Sequence, residues 1–406
     1  MPTLECRPIF EPGRQDYGCL MAKQEMTHAL WYGGRGGSGG YMRYLNGVLA
    51  IPAAPTGIRI TLVCSPSLKN ELGPLDSAVC LIPVPSLENS ISAQVWERMH
   101  FTRFVRELRP DVLFYPSGTL GSFPAGVPVV AACHNLLYFD DKEYRKYRFS
   151  APWLRSLWRL RRRHRVLYPK AAGVIFFSPY SQELAERNVA GIKFCTVIPH
   201  GVEANFLADS PTPSIDRPPL NILYISTVTI YKHQWNVVKA VKQLRDSTGE
   251  DYQLWLVGSA DQLGRKALDR ALKKERAEAF AHWMGGVSHD AMPSLLRNAD
   301  IFLFASSCEA FGITLLEAMA SGLPVACSNR SGLPDLLRDG GVYFDPENCT
   351  EIASAVARLS ADKVMRREYA ERAMRYAREF TWSGCAEKTF AFLRDVAVTA
   401  QNDRTV

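Results

Sequence analysis

The chain has 406 residues, 47% hydrophobic and 22% charged, with a formal net charge of +7, which excludes disordered and fibrous classes and leaves an ordinary globular protein. Its length exceeds what one hydrophobic core usually serves, so two domains of about 200 residues each are expected. Ten scattered cysteines, with no C-x-x-C and no Cys/His cluster at zinc spacing, argue against a disulfide framework or a zinc site and for reduced thiols in a cytosolic setting.

Residues 1–25 are polar and unpatterned and carry neither the basic nor the apolar region of a signal peptide. They read as a disordered N-terminal extension, or as sequence upstream of a native start at Met21 or Met26. No run approaches the ~18 to 20 apolar residues that span a bilayer, so a soluble or peripheral protein is expected. From Met26, apolar runs of strand length alternate with longer helix-like segments, the pattern of an α/β fold with mostly parallel sheets. The first-half strand candidates are "MTHALWY", "IRITLVCS", "AVCLIPV", "DVLFYPS", "VPVVAAC", "AGVIFFS" and "FCTVIPH". The pattern stops at "LADSPTPSIDRPP", whose Pro, Ser and Asp content marks an interdomain linker over residues 206–219. It resumes with "LNILYIST", "YQLWLVG", "EAFAHWMGG", "ADIFLFASS" and "GLPVACS", each followed by helical sequence, and from Pro346 the chain reads as helical to near its end. The expected organisation is one domain over residues 26–205, a second over 220–385, and a last helix over 386–406 that packs back toward the first.

Six glycines fall in the eight positions 33–40, between a strand and a helix, where glycine lets the backbone approach a phosphate and present amides at a helix N-terminus. Gly34, Gly36 and Gly39 formally fit G-x-G-x-x-G, but that fingerprint wants an acidic residue about 20 positions on. The second strand ends "VCSPS", with no Asp or Glu, so close approach of a phosphate or sugar is favoured over dinucleotide binding or a loop without a ligand. His134 and His200 stand at the carboxyl ends of predicted strands, where open α/β sheets form their ligand crevice. Lys232 falls just before a helix, either as a solvated lysine or as a point charge on a phosphate. No two aspartates are two residues apart, so there is no D-x-D pair to hold a divalent ion against a diphosphate. Any diphosphate must then be neutralised by amides and Lys232.

In "CEAFGITLLEAMASG", Glu309 and Glu317 are eight positions apart. The residues ahead of Ile313 read as a loop, and the rest as a buried helix ended by Gly322. Even in a continuous helix the two would lie roughly 12 Å apart along the axis, beyond the ~5 to 9.5 Å at which two carboxylates flank one glycosidic bond. They are better placed to grip two ends of an extended ligand.

Charge is concentrated in residues 142–170, where eleven Lys/Arg face one Glu, and the remainder of the chain is mildly acidic. Trp153, Leu154, Leu157, Trp158 and Leu160 interleave there with Arg155, Arg159, Arg161, Arg162, Arg163 and Arg165. Two readings stand: a helix lying on anionic lipid, or a solvated helix whose Trp and Leu face the sheet. Nothing else in the chain resembles a base-reading module, so no nucleic-acid partner is expected.

Together these residues resemble the retaining glycosyltransferases of family 4, over roughly residues 26–395. The likeness is strongest in "CEAFGITLLEAMASGLPVACSNRSGLPDLLRDGGVYFDPEN", similar to that family's E-x7-E region, with support from "YKHQWNVVKAV" and "FTW". The resemblance implies the GT-B fold, two Rossmann-like domains facing across a cleft, the first on the acceptor side and the second holding the donor nucleotide. It implies that Glu309 meets the donor sugar and Glu317 the ribose, that the backbone at Phe311, Gly312, Ile313 and Thr314 receives the diphosphate, and that Gly36 and Gly37 close on the same phosphates. Gly286 lies among backbone groups near the base, His134 matches an active-site histidine, and Lys232 matches a lysine that offsets leaving-group charge. The family usually has an arginine six residues before that lysine, and here the position is Ser226, whose hydroxyl carries no charge.

The implied reaction moves a sugar from a nucleoside diphosphate donor, GDP-mannose being one candidate, to an acceptor hydroxyl with retention and without metal or other cofactor. The acceptor would be a saccharide or lipid-linked, in bacterial surface polysaccharide or glycolipid assembly. Trp153, Trp158, Arg159, Arg161, Arg162 and Arg163 would then form the acceptor or membrane side, at the cytoplasmic face of the plasma membrane. The alternatives are a GT-B epimerase or hydrolase that consumes the donor without an acceptor, and a scaffold that only binds the sugar nucleotide, a reading favoured by Ser226 alone.

Overall fold

The computed structural model describes residues 26–36, 39–119, 121, 123–148, 150–211 and 218–405. The expected N-terminal extension, Gly37 and residues 212–217 of the expected linker lie outside the described residues. The first sheet is built from β1 (Thr27–Gly34), β2 (Ile58–Cys64), β3 (Val79–Pro83), β4 (Val112–Tyr115), β5 (Val129–Ala132), β6 (Gly173–Phe176) and β7 (Cys195–Val197). They run parallel in the order β3-β2-β1-β4-β5-β6-β7. The second sheet holds β8 (Leu220–Ile225), β9 (Tyr252–Val257), β10 (Ala281–Gly285), β11 (Ile301–Phe304), β12 (Val325–Ser328) and β13 (Gly341–Phe344), parallel in the order β10-β9-β8-β11-β12-β13. These are the two Rossmann-like units that the strand–helix alternation predicts.

Central strands are covered by helices on both faces, which is why they read as unbroken apolar runs. Ala29, Leu30 and Trp31 of β1 are fully buried, as are Ile301, Phe302 and Leu303 of β11. β3, at a sheet edge, is only half-buried along its whole length. β13 was not among the expected strands. Its "GVYF" is four residues that start at the second glycine of a pair and end before Asp345-Pro346, too short to show a period, and pairing with β12 from Val325↔Gly341 to Ser328↔Phe344 defines it.

In each sheet the order reverses beside its first strand, between β1 and β4 and between β8 and β11. The carboxyl ends at such a reversal open a crevice. The glycine loop follows β1, Lys232 follows β8 and Glu309 follows β11, so the topology delivers all three to reversal points.

The final helix, Trp382–Thr405, packs on the Gly40–Leu49 helix and on β1 and β4 of the first unit. Its start explains two glycines. A Cβ on Gly47 would lie 2.1 Å from the Trp382 ring, and one on Gly201 would lie 2.1 Å from the Trp382 amide nitrogen. Phe392 stacks on Phe194 at 4.9 Å, and Val202 bridges to Thr381, tying the chain's end to the exit of β7. Among the described residues no helix is long and apolar enough to cross a membrane.

Candidate active site

The carboxyl ends of β8 and β11 supply the centre of the site. After β8 the chain makes a single 3-10 turn, Ile230–Lys232, and His233 adopts a left-handed conformation before the helix Gln234–Thr248 begins. The Tyr224 hydroxyl donates to the Lys232 carbonyl at 2.6 Å, fixing that turn. The buried Lys232 ammonium bonds the Glu309 carboxylate and lies 5.1 Å from the centre of the Phe304 ring. Glu309 stands on the loop after β11, where its amide donates to Ser331 Oγ at 3.1 Å. The pair gives the crevice a cation able to meet a phosphate and a carboxylate able to accept from a hydroxyl.

The next helix, Ile313–Ala320, is capped by Gly312 at φ 102°, and a Cβ there would also lie 2.8 Å from Leu333 Cδ2. Backbone and space both demand glycine at that position. No side chain caps this helix, so the first-turn amides at Ile313 and half-buried Thr314 are open to an anion. Phe311, just ahead, is buried edge-on against His200 at 5.2 Å.

The first unit faces this helix end. Gly36, at φ 88°, turns the loop after β1, and Gly40 then opens the helix Gly40–Leu49. A Cβ on Gly40 would sit 3.9 Å from Ile313 Cγ2, so the glycine loop abuts the open amides of the second unit. His134 follows β5 within reach of Tyr41, Tyr44, Phe177 and His200, the two imidazoles stacking at 5.5 Å. Burial pushes the His134 imidazole down to about 3, and a bond with the Pro116 carbonyl opposes the shift. Its Nε2 is enclosed without a partner, so the bond to Pro116 leaves that nitrogen as an acceptor for a ligand hydroxyl. His200 is buried with both ring nitrogens unpartnered, and burial holds it well below its ordinary value.

Glu317, one turn beyond the helix start, is 3% exposed. Its Oε1 lies 3.1 Å from Arg43 Nε of the Gly40–Leu49 helix, while Oε2 is enclosed and unpartnered. Burial raises its carboxyl to about 7, against the opposing pull of Arg43 and His289. His289 itself pairs with Glu203 at 2.9 Å. The two glutamates of the E-x7-E stretch thus have separate partners, Lys232 and Arg43, rather than sharing one. Gly286 follows β10 beside Trp283, whose indole donates to the Gly258 carbonyl at 2.9 Å and carries the Arg265 guanidinium 4.0 Å over its face.

Ser226 accepts from Gln234 Nε2 at 2.8 Å, an uncharged bond at the position where the resemblance leads one to expect an arginine. A cation that the sequence reading overlooked arrives from the other unit. Lys146 Nζ lies 2.9 Å from Glu347, 2.8 Å from Glu143 and 3.4 Å from Ser307 Oγ, two residues before Glu309. It was hidden in a run of eleven cations, where composition distinguishes no one member. Arg43, Ser331 and Ser178, whose hydroxyl donates to the Ala310 carbonyl at 2.7 Å, were missed as well. Its place on the small-residue side of the Gly40–Leu49 helix, three residues after Gly40 and four before Gly47, was the available signal for Arg43.

The basic segment forms the helix Ala151–Leu167, and it divides cleanly. Leu157, Arg161 and His164 turn inward and are buried, His164 stacking on Tyr138 at 4.2 Å. Arg161 therefore does not belong to the acceptor or membrane face. It bonds the Asp141 carboxylate and the Asp140 carbonyl and lies 4.5 Å over the Tyr144 ring. One helical turn separates it from Leu157 and His164, and that spacing carries it to the inner face. Trp153, Trp158, Arg155, Arg159, Arg162 and Arg163 are exposed. Leu157 is buried and Leu154 and Leu160 half-buried, the helix packing on the turns Leu136–Tyr138 and Tyr168–Lys170, while the tryptophans face out, which mixes the two sequence readings. Among the described residues no group of three His, Cys, Asp or Glu is placed to hold a metal ion.

Two Rossmann-like sheets closing on a common crevice recur in proteins of known structure. The chain superposes on sucrose-phosphate synthase from Thermosynechococcus elongatus with a TM-score of 0.71 at 17% identity, covering 92% of this chain and 100% of that one. It superposes on the Anabaena protein HepE, solved with UDP-glucose, with a TM-score of 0.67 at 18% identity over 92% and 99% of the chains. The architecture is that of the GT-B glycosyltransferases. Within them the chain belongs to family 4: the family model "Glycosyltransferase Family 4" matches residues 49–206 and "Glycosyl transferases group 1" matches residues 208–380. Similar relatives include the O-antigen chain mannosyltransferase B of Escherichia coli, 29% identical over 167 residues, 41% of this chain and 44% of that protein. The phosphatidyl-myo-inositol mannosyltransferase of Mycobacterium leprae is 25% identical over 208 residues, 50% of this chain and 54% of that protein. The chain thus spans about half the length of these curated relatives.

Proposed function

We propose that this glycosyltransferase moves a hexose, with retention, from a nucleoside diphosphate sugar to a hydroxyl of a saccharide or lipid-linked acceptor in surface polysaccharide or glycolipid assembly. The observation that carries the reading is the Lys232–Glu309 pair beside the open amide end of the Ile313–Ala320 helix, with Glu317 one turn further on. The diphosphate lies between those amides and the glycine loop, Glu309 takes sugar hydroxyls, and Glu317 takes the ribose. His134 Nε2 accepts from a hydroxyl of the transferred sugar. Lys232 and the helix amides stabilise charge developing on the departing diphosphate, which takes the acceptor's proton on the face it leaves. Glu309 bears the Lys232 ammonium, which suits it to positioning rather than to attack on the sugar. With no D-x-D pair in the chain, charge neutralisation falls to Lys232 and the amides, without metal or other cofactor.

GDP-mannose is the first donor to test, because the sequence relatives named above are mannosyltransferases. UDP-glucose is the second, because a fold neighbour was solved with it. The exposed face with Trp153, Trp158, Arg159, Arg162 and Arg163 would rest on anionic lipid at the cytoplasmic surface of the plasma membrane. A panel of sugar nucleotides screened by thermal stabilisation should single out one base, since a ligand at 100 times its Kd adds about 2.7 kcal/mol. Release of nucleoside diphosphate must then depend on added acceptor. Full release without acceptor would instead establish a hydrolase or epimerase, and binding without any release a scaffold.

A further inference from the structure

We infer that Arg43 is a positioning residue for the donor's ribose: from the first unit it holds one oxygen of Glu317 so that the other meets a ribose hydroxyl. The inference rests on the proposed reading of Glu317 as the ribose ligand and assigns that subsite a second member from the opposite domain. Three observations carry it. Arg43 Nε reaches Glu317 Oε1 at 3.1 Å, with both side chains largely buried. Oε2 of the same carboxylate is enclosed with no partner, and a buried acceptor left unmet is costly enough to mark a place for a donor. The two helix starts also meet three residues before Arg43, where a Cβ on Gly40 would lie 3.9 Å from Ile313 Cγ2.

The pair does not stand alone. Glu203, at the exit of the first unit, and His289, just past the turn after β10, bond each other at 2.9 Å and face the same carboxylate. Each unit therefore contributes two polar side chains around the ribose end of the crevice, Arg43 and Glu203 from the first and Glu317 and His289 from the second. An arginine donating from one side fixes the plane of the carboxylate, so Oε2 keeps one direction.

The test uses the full-length protein and the nucleoside diphosphate sugar that stabilises it most, together with its 2′-deoxy and 3′-deoxy ribose counterparts. Calorimetric Kd values are compared for wild type, Arg43→Gln and the Arg43→Gln/Glu317→Gln double variant. Wild type should bind at least one deoxy analogue about tenfold or more weakly than the ribonucleotide, the scale of a hydrogen bond to a charged group. Arg43→Gln should narrow that preference to within about threefold, and the double variant should narrow it no further. A preference preserved in Arg43→Gln, or equal weakening of ribo and deoxy ligands, overturns the role of Arg43 while leaving the ribose reading of Glu317 intact. A wild type indifferent to both deoxy analogues removes that reading and the inference with it. Should Arg43→Gln not fold, Arg43→Lys, which keeps the charge but lacks the Nε–H, serves the same comparison.

Discussion

The buried state of Glu317 gives a quantitative expectation for donor affinity against pH. With Glu317 as the proposed ribose ligand, a ribose hydroxyl would donate to its carboxylate and the bound complex would require the ionised form, whereas burial raises the unliganded carboxyl to about 7. Below pH 7 the protein must release a proton to bind. Affinity should then fall by up to tenfold per pH unit, or about 30-fold from pH 8.5 to 5.5. The measurement is calorimetric titration with an intact sugar nucleotide, whose phosphodiesters do not titrate in this range, in buffers of differing ionisation enthalpy to count the released proton. His134 and His233, pushed down to about 3 by burial, stay neutral throughout and add no slope. Arg43, His289 and Glu203 face the carboxylate, so Glu317→Gln is the control that isolates it. A flat affinity, or the same slope in Glu317→Gln, would refute the reasoning. The same shift acts on folding with the opposite sign to that of an ordinary ion-paired carboxylate. The folded value lies above the unfolded 4.5, so the unliganded protein loses stability as pH rises from about 4.5 to about 7, on the order of 3 kcal/mol, and donor binding offsets that loss.

Lys232→Ala and Glu309→Ala should each lower turnover by at least about a hundredfold, and because the two side chains bond each other the double variant should lose less than the product of the single effects. Gly47→Ala sets a Cβ 2.1 Å from the Trp382 ring; calorimetry should show destabilisation of about 1–3 kcal/mol or more, as for an overpacked core. The two faces of the basic helix separate by vesicle co-sedimentation. Arg159→Glu with Arg162→Glu should abolish binding that scales with anionic lipid while leaving the melting temperature within a few degrees. Arg161→Ala should instead cost about 1–3 kcal/mol of stability through lost bonds to Asp141 and Asp140 and leave vesicle binding unchanged.

Much of this architecture was determined by local sequence. Strands such as "IRITLVCS" and "ADIFLFASS" are legible because both faces are buried, and the helix Ile313–Ala320 because Gly312 and Gly322 punctuate it. The separation of Glu309 from Glu317 likewise followed from chain geometry alone, and their different partners agree with it. What only the tertiary structure decided are pairings between residues far apart in the chain. Arg43 with Glu317 spans the two units, Lys146 reaches Glu347 and Ser307, and Ser331 holds the Glu309 amide. Arg161 looked like its neighbours in a basic run until packing assigned it the inner face, and β13 was invisible until β12 gave it a partner. The physical reason is common to all of these. Periodicity and glycine placement report the environment of one segment, whereas which faces meet across a crevice depends on how two separately folded sheets are docked.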